Sequence, residues 1–172
     1  MKKMMMTFIL AAATLVGSNV IMAQSGDVID IAVGSSDHST LVAAVKAADL
    51  VNTLKGKGPF TVFAPTNAAF AKLPEGTVDG LLKPENKATL SKILTYHVVA
   101  GNLDAAAVVA AINAGSGKAV VTTVSGGKLT ASLDGGKVKL TDENGGVSYV
   151  TAADLKGSNG VIHVIDTVLM PK

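Results

Sequence analysis

The sequence contains no cysteine, no arginine and no tryptophan, and aromatic residues make up only 3% of its 172 residues. Without cysteine, the chain forms no disulfide and carries no cysteine-linked lipid, so packing alone must hold the fold. Without arginine, it contains no Arg-Gly-Asp tripeptide and lacks the side chain best suited to bidentate phosphate recognition. These absences exclude a disulfide-stapled scaffold and disfavour a nucleic-acid-binding protein.

The first 23 residues have the pattern of a secretory signal peptide. Lys2 and Lys3 give a positive start, residues 4–16 form an uncharged apolar run, and Ala23 offers a small residue for cleavage. The run is shorter than the ~20 residues of a membrane span, which disfavours the alternative of a retained anchor. We therefore expect a secreted or periplasmic protein of residues 24–172, with no membrane span and a single domain.

The charge of residues 24–172 is balanced. All 15 basic residues of the chain are lysines, and removal of Lys2 and Lys3 leaves 13 of them beside 13 acidic residues. A neutral chain is a poor candidate for binding phosphate backbones or anionic lipid. The sequence therefore predicts no nucleic-acid partner.

Three of the four phenylalanines lie within residues 60–70. Alternation of apolar residues predicts a short strand from Phe60 with both faces covered, because Phe63 is too large to leave in water. Pro65 ends the strand, and Thr66 or Asn67 can cap the helix that carries Phe70. This stretch therefore predicts the centre of the hydrophobic core.

Helical periodicity dominates the first part of the chain and strand alternation the second. Residues 28–33 fit either a short helix or a buried strand, and the sequence alone does not decide between them. Further helices are predicted from Ser39, from Pro84 and after Asp104, with a short strand at Val98 and Val99. Four strands of a meander are predicted at residues 120–124, 129–133, 138–141 and 147–151, separated by Gly-Gly turns, and a bent central strand at residues 159–169. This order predicts an α+β fold.

The patterns that imitate catalytic or metal sites are weak. Residues 36–39 contain triad residue types, but triads assemble in space rather than along four consecutive residues. Residues 115–118 imitate a phosphate loop, but Ala119 stands where Ser or Thr is required. The three histidines lack metal-ligand spacing, and the pair His163 and Asp166 comes nearest to it. We therefore predict no catalytic residue, no metal site and no cofactor.

Three separate segments together resemble the fasciclin domain family. They are Phe60-Thr-Val-Phe-Ala-Pro-Thr-Asn-Ala-Ala-Phe70, Leu94-Thr-Tyr-His-Val-Val-Ala-Gly101 and Asn159-Gly-Val-Ile-His-Val-Ile-Asp-Thr-Val-Leu169. Their order and spacing match one complete copy of the domain, from about Asp27 to Pro171. The resemblance implies a β-wedge of two sheets with a packed helical layer, in a secreted or surface protein that is not an enzyme.

The resemblance also implies binding residues. Tyr96 and His97 match a tyrosine–histidine pair implicated in adhesion by animal members, and Asp154 and Leu155 fall where some members carry an Asp-Ile recognition pair. From the residues alone, His97 fits a hydrogen-bonded structural role as well as a contact, and Tyr96 fits an interface or a lid on the core. His163 is expected to be buried and paired with a neighbouring backbone or hydroxyl group.

The sequence therefore leads to two functional hypotheses. The first is a secreted cell-adhesion or extracellular binding module, with a protein or carbohydrate of a cell surface or matrix as its partner. The alternative is a carrier of an apolar small molecule such as a carotenoid or lipid, because the chain is 48% hydrophobic and some proteins of the resembled family carry such ligands. The sequence does not indicate whether the protein is a monomer or an oligomer.

Overall fold

The computed structural model describes residues 26–172, and the predicted signal peptide lies outside the described residues. The helices, which alternate with two strands in the first part of the chain, are α1 (Val28–Val33), α2 (Ser39–Ala47), α3 (Val51–Leu54), α4 (Asn67–Ala71), α5 (Thr77–Leu81), α6 (Lys87–Tyr96) and α7 (Ala105–Ala114), with 3-10 turns at Ser36–His38 and Pro84–Asn86. The strands are β1 (Phe60–Pro65), β2 (Val98–Ala100), β3 (Lys118–Thr122), β4 (Lys128–Asp134), β5 (Lys137–Thr141), β6 (Val147–Gly157) and β7 (Gly160–Ile165).

Side-chain caps determine where three of the helices begin. Residues 28–33, which the sequence left undecided, form α1 because Asp27 accepts hydrogen bonds from the Ile29 and Asp30 amides in a capping box. Thr66 caps α4 and Asp104 caps α7, as predicted. Each such cap contributes about 1 kcal/mol to helix stability.

The seven strands are hydrogen-bonded in the order β2-β1-β7-β6-β5-β4-β3. The predicted meander is confirmed, because β3 to β6 pair antiparallel in sequence order. The predicted central strand β7 pairs parallel with β1 and antiparallel with β6. The fold is therefore α+β, with one parallel strand pair between the two halves of the chain.

The long strand β6 divides the ladder into the two parts of a wedge. Residues 147–149 pair with β5, whereas residues 150–157 pair with β7 through two register shifts. The sequence predicted an end at residue 151, and this boundary was wrong because the shifts interrupt the alternation that marks a strand. At the far ends of the ladder, Val99 bridges Thr123, so β2 also approaches β3.

The buried residues form two clusters, one on each side of β1. Val62 and Phe70 belong to a cluster with the helical layer, whereas Phe63 and Tyr96 belong to a cluster with α7 and the meander. Both faces of β1 are therefore covered, as predicted. Within residues 26–172, no helix is both long enough and apolar enough to span a bilayer.

Candidate binding surface

Tyr96 is the last residue of α6, and its side chain is 0% exposed. Its hydroxyl donates to the Lys128 carbonyl at 2.7 Å and accepts from the Glu143 amide at 3.2 Å. Burial raises the pKa of this hydroxyl to about 12. The ring lies so close to Gly127 that a Cβ there would stand 2.6 Å from the ring atom Cε2. Tyr96 therefore fastens the end of α6 to two turns of the meander.

His97 follows directly and is 1% exposed. Its Nδ1 lies 2.8 Å from the Ile93 carbonyl, and its Nε2 accepts from the Leu169 amide at 3.0 Å. The two partners define a neutral ring with the proton on Nδ1. Burial lowers the pKa of the imidazole to about 4, so His97 is neutral at pH 7.

The burial of Tyr96 and His97 corrects the expectation that they lie on a contact surface. The Tyr96 hydroxyl and both ring nitrogens of His97 have backbone partners, and neither side chain is exposed at the protein surface. A tyrosine at a helix end enters the interior when the fold supplies partners for its hydroxyl. In this structure the two side chains are part of the buried interior.

Asp154 and Leu155, in contrast, are exposed on β6, and we call them the bulge surface. Asp154 lies within the second register shift between β6 and β7 and adopts a left-handed backbone conformation with φ of 60°, and Leu155 is the first residue after that shift to pair with β7. Leu155 is 39% exposed. The Asp154 carboxylate accepts from the Ala105 amide at 2.7 Å, at the first residue of α7. This contact holds the bulge surface against the helix.

The two predicted site pairs do not touch, but a chain of contacts connects them. The His97 carbonyl accepts from the Phe63 amide at 2.8 Å, and the Phe63 ring stacks on His163 with 5.7 Å between centroids. His163 donates through Nε2 to the Leu103 carbonyl at 2.6 Å, which confirms the prediction of a buried, backbone-paired histidine. The other ring nitrogen faces the Asp154 amide at 3.4 Å. Tyr96–His97 and the bulge surface are therefore connected through the neighbouring strands β1 and β7.

Sequence reasoning missed the role of Asn159. Its Oδ1 accepts from the Val28 amide at 3.0 Å, and its Nδ2 donates to the Leu54 and Gly56 carbonyls at 2.7 and 3.0 Å. One side chain thus joins the β6–β7 turn to α1 and to the end of α3. The available signal was an Asn-Gly pair directly before an apolar strand, which marks a turn but not its distant partners.

The family model of the fasciclin domain matches residues 36–171. The chain belongs to the fasciclin domain family. Members of this family are often extracellular proteins associated with adhesion, and they are generally not enzymes. The match covers α2 to α7, all seven strands and both predicted site pairs.

Relatives of this fasciclin-domain chain occur in several bacteria. Protein sll1483 of Synechocystis sp. is 49% identical over 146 residues, which cover 84% of this chain and 73% of that protein. The cell surface glycolipoprotein MPB83 of Mycobacterium bovis is 36% identical over 138 residues, which cover 77% of this chain and 55% of that protein.

The solved structure of a FAS1 domain pair from the insect cell adhesion molecule fasciclin I has the same fold. The TM-score is 0.75, and the match covers 84% of this chain and 51% of the solved chain, with 19% sequence identity. The fasciclin fold predicted from the three sequence segments is therefore confirmed.

Proposed function

We propose that this protein is a secreted, non-catalytic cell-adhesion or extracellular binding module. Residues 1–23 direct export, and residues 24–172 form the single domain that binds a protein or carbohydrate of a cell surface or matrix. The observation that carries the proposal is the bulge surface, where an exposed leucine lies beside an exposed carboxylate. A hydrogen bond from the Ala105 amide holds this part of β6 against α7. Family membership supports the adhesion class.

The bulge surface combines an apolar and a charged contact at low ordering cost. Residues 151–156 of β6 are all exposed, so a partner can reach Leu155 without displacing other elements. The Asp154 carboxylate is already held by the Ala105 amide, so little conformational entropy is lost when it meets a partner. Tyr96 and His97 contribute to binding by fixing the strands beneath rather than by contact.

Attachment of beads coated with the purified protein to cells and matrix from its source tests this proposal. Leu155→Ala combined with Asp154→Asn is expected to lower attachment about tenfold, the loss of roughly 1.4 kcal/mol of contact energy. Asparagine keeps an acceptor for the Ala105 amide and tolerates a positive φ, so the backbone is preserved. Leu133→Ala is the matched control, because Leu133 is 40% exposed and lies on β4. Equal attachment by the double variant and the control would remove the bulge surface from the proposal.

One observation favours the carrier function as a second candidate. A cavity of about 150 Å³ lies between α1, α2, α3 and the sheet, and its wall is almost entirely apolar, including Val28, Val45, Leu54, Val62, Leu94 and Ile162. A dry cavity of this size accepts a molecule as small as benzene, whereas drug-sized ligands occupy roughly 300–1,000 Å³. A carotenoid would therefore require the helices to move apart. Native mass spectrometry and a visible spectrum of protein purified from its source test this candidate, and a bare, colourless polypeptide excludes it.

A further inference from the structure

A groove of about 460 Å³, with both polar and apolar groups in its wall, begins one residue after the bulge surface. It is lined by residues 57–59, Asn102 and residues 156–161, and we call it the lysine groove. It lies where the loop before β1, the segment after β2 and the β6–β7 turn meet.

Backbone contacts and one side chain hold the floor of the lysine groove in place. Asn159 makes three hydrogen bonds to α1 and to the end of α3, which fix the turn from below. Gly160 lies so close to Phe60 that a Cβ would stand 1.9 Å from the Phe60 carbonyl oxygen, so no larger residue fits. A groove that is already formed orders few groups when a ligand binds.

The charges along the lysine groove all have one sign. Lys57 and Lys156 are exposed, and no carboxylate lines the groove. In residues 26–172, neither ammonium group has an ion-pair partner. The nearby carboxylates of Asp27 and Asp30 lie 3.4 and 2.9 Å from the Lys55 ammonium instead. In a chain of balanced charge, the groove is therefore a local cationic site.

Neutral polar groups of the lysine groove are also unengaged. The side chains of Asn102 and Ser158 are exposed and make no hydrogen bond to any other described residue. The groove has no exposed aromatic ring and no deep apolar pocket, which are the usual anchors for neutral sugars and for peptide side chains. A ligand must therefore be held by charge and by hydrogen bonds to hydroxyl groups.

We propose that the lysine groove binds an acidic polysaccharide whose uronate carboxylates meet Lys57 and Lys156 and whose hydroxyls meet Asn102 and Ser158. This proposal rests on the proposed function, since it names one chemical class of matrix partner. Two lysines are too few for a nucleic-acid backbone, where affinity depends on many phosphate contacts. A sugar acid matches the groove because each unit carries one carboxylate and several hydroxyls.

Titration with a galacturonic acid hexamer, followed by calorimetry at low salt, tests the proposal. The double variant Lys57→Gln with Lys156→Gln is expected to raise the Kd at least tenfold. The control pair Lys118→Gln with Lys137→Gln removes the same charge from β3 and β5 and should change the Kd less than twofold. The methyl-esterified hexamer, which has the same sugar backbone without charge, should not bind, and added salt should weaken binding of the acid form.

Three results would overturn the proposal: no binding of the acid hexamer, equal binding of its ester, or equal losses in the two lysine pairs. The last result would indicate attraction to overall charge rather than to a groove.

The attachment assay separates this inference from the proposed function. If Leu155→Ala with Asp154→Asn abolishes attachment while the hexamer never binds, the adhesion proposal stands and the groove inference fails. If hexamer binding needs Lys57 and Lys156 while attachment ignores the bulge surface, the groove inference stands alone.

Discussion

The sequence predicted a binding role for both the Tyr96–His97 pair and the Asp154–Leu155 pair, yet the two pairs occupy opposite environments. Tyr96 and His97 are buried, and each donor and acceptor on their rings has a backbone partner. Asp154 and Leu155 are exposed on a strand bulge. Residues that share a motif need not share a role, because the first pair holds the fold together and the second faces solvent.

The difference arises from where backbone partners are available. The turns at Lys128 and Glu143 converge on the Tyr96 hydroxyl, so the ring can enter the core without leaving a polar group unpaired. Asp154 lies beyond the residues of β6 that pair with β5 and within a register shift against β7, and its side chain is exposed. A mutation at Tyr96 that weakens binding would therefore act through the fold.

Among the substitutions that test this contrast, Tyr96→Ala is expected to have the largest effect on stability. It should lower the free energy of unfolding by about 3–5 kcal/mol. The cost combines an aromatic cavity with two backbone groups left without the hydroxyl. Phe63→Ala should cost a similar amount, since Phe63 is buried in the same cluster. Urea denaturation of the two variants and the unmodified protein measures these losses.

Leu155→Ala is expected to have only a small effect on stability. Because Leu155 is exposed, its truncation should change the free energy of unfolding by less than about 0.5 kcal/mol. If Tyr96→Ala were as mild as Leu155→Ala, Tyr96 would not be a core residue and the contrast between the pairs would be lost.

Much of the fold could be predicted from the sequence, because local chemistry specifies it. Thr66 and Asp104 cap helices through their own side chains, and Gly-Gly pairs separate the strands of the meander. These signals act over a few residues. They locate elements without knowledge of the rest of the chain.

The environment of the candidate site could not be predicted in the same way. Burial of Tyr96 depends on backbone groups 32 and 47 residues away, and the position of Asn159 depends on partners more than 100 residues away. The lysine groove joins Lys57 and Lys156, which belong to distant parts of the sequence. Such arrangements depend on tertiary contacts that residue spacing does not encode.

The protonation of His97 is expected to make the stability of the protein depend on pH. Burial lowers the pKa of His97 from 6.5 to about 4, so between these values the folded state binds fewer protons than the unfolded state. The stability contributed by neutral His97 is therefore fully present above pH 6.5 and is lost as the pH falls toward 4, by on the order of 3 kcal/mol. Burial also lowers the pKa of His38, which contributes to the same loss of stability at low pH.

Unfolding in urea at pH 7, 6, 5 and 4 measures this dependence, and His97→Gln isolates the His97 part. Glutamine can still accept from the Leu169 amide but does not titrate, so the variant should be less stable at pH 7 and should lose less stability on acidification. All other titratable side chains are the same in both proteins, so the difference between the two pH profiles reports the contribution of His97. Identical pH profiles would mean that the imidazole is not held neutral in the folded state. His97 would then be more accessible to solvent than its burial indicates, and the contrast between Tyr96–His97 and the bulge surface would be weaker.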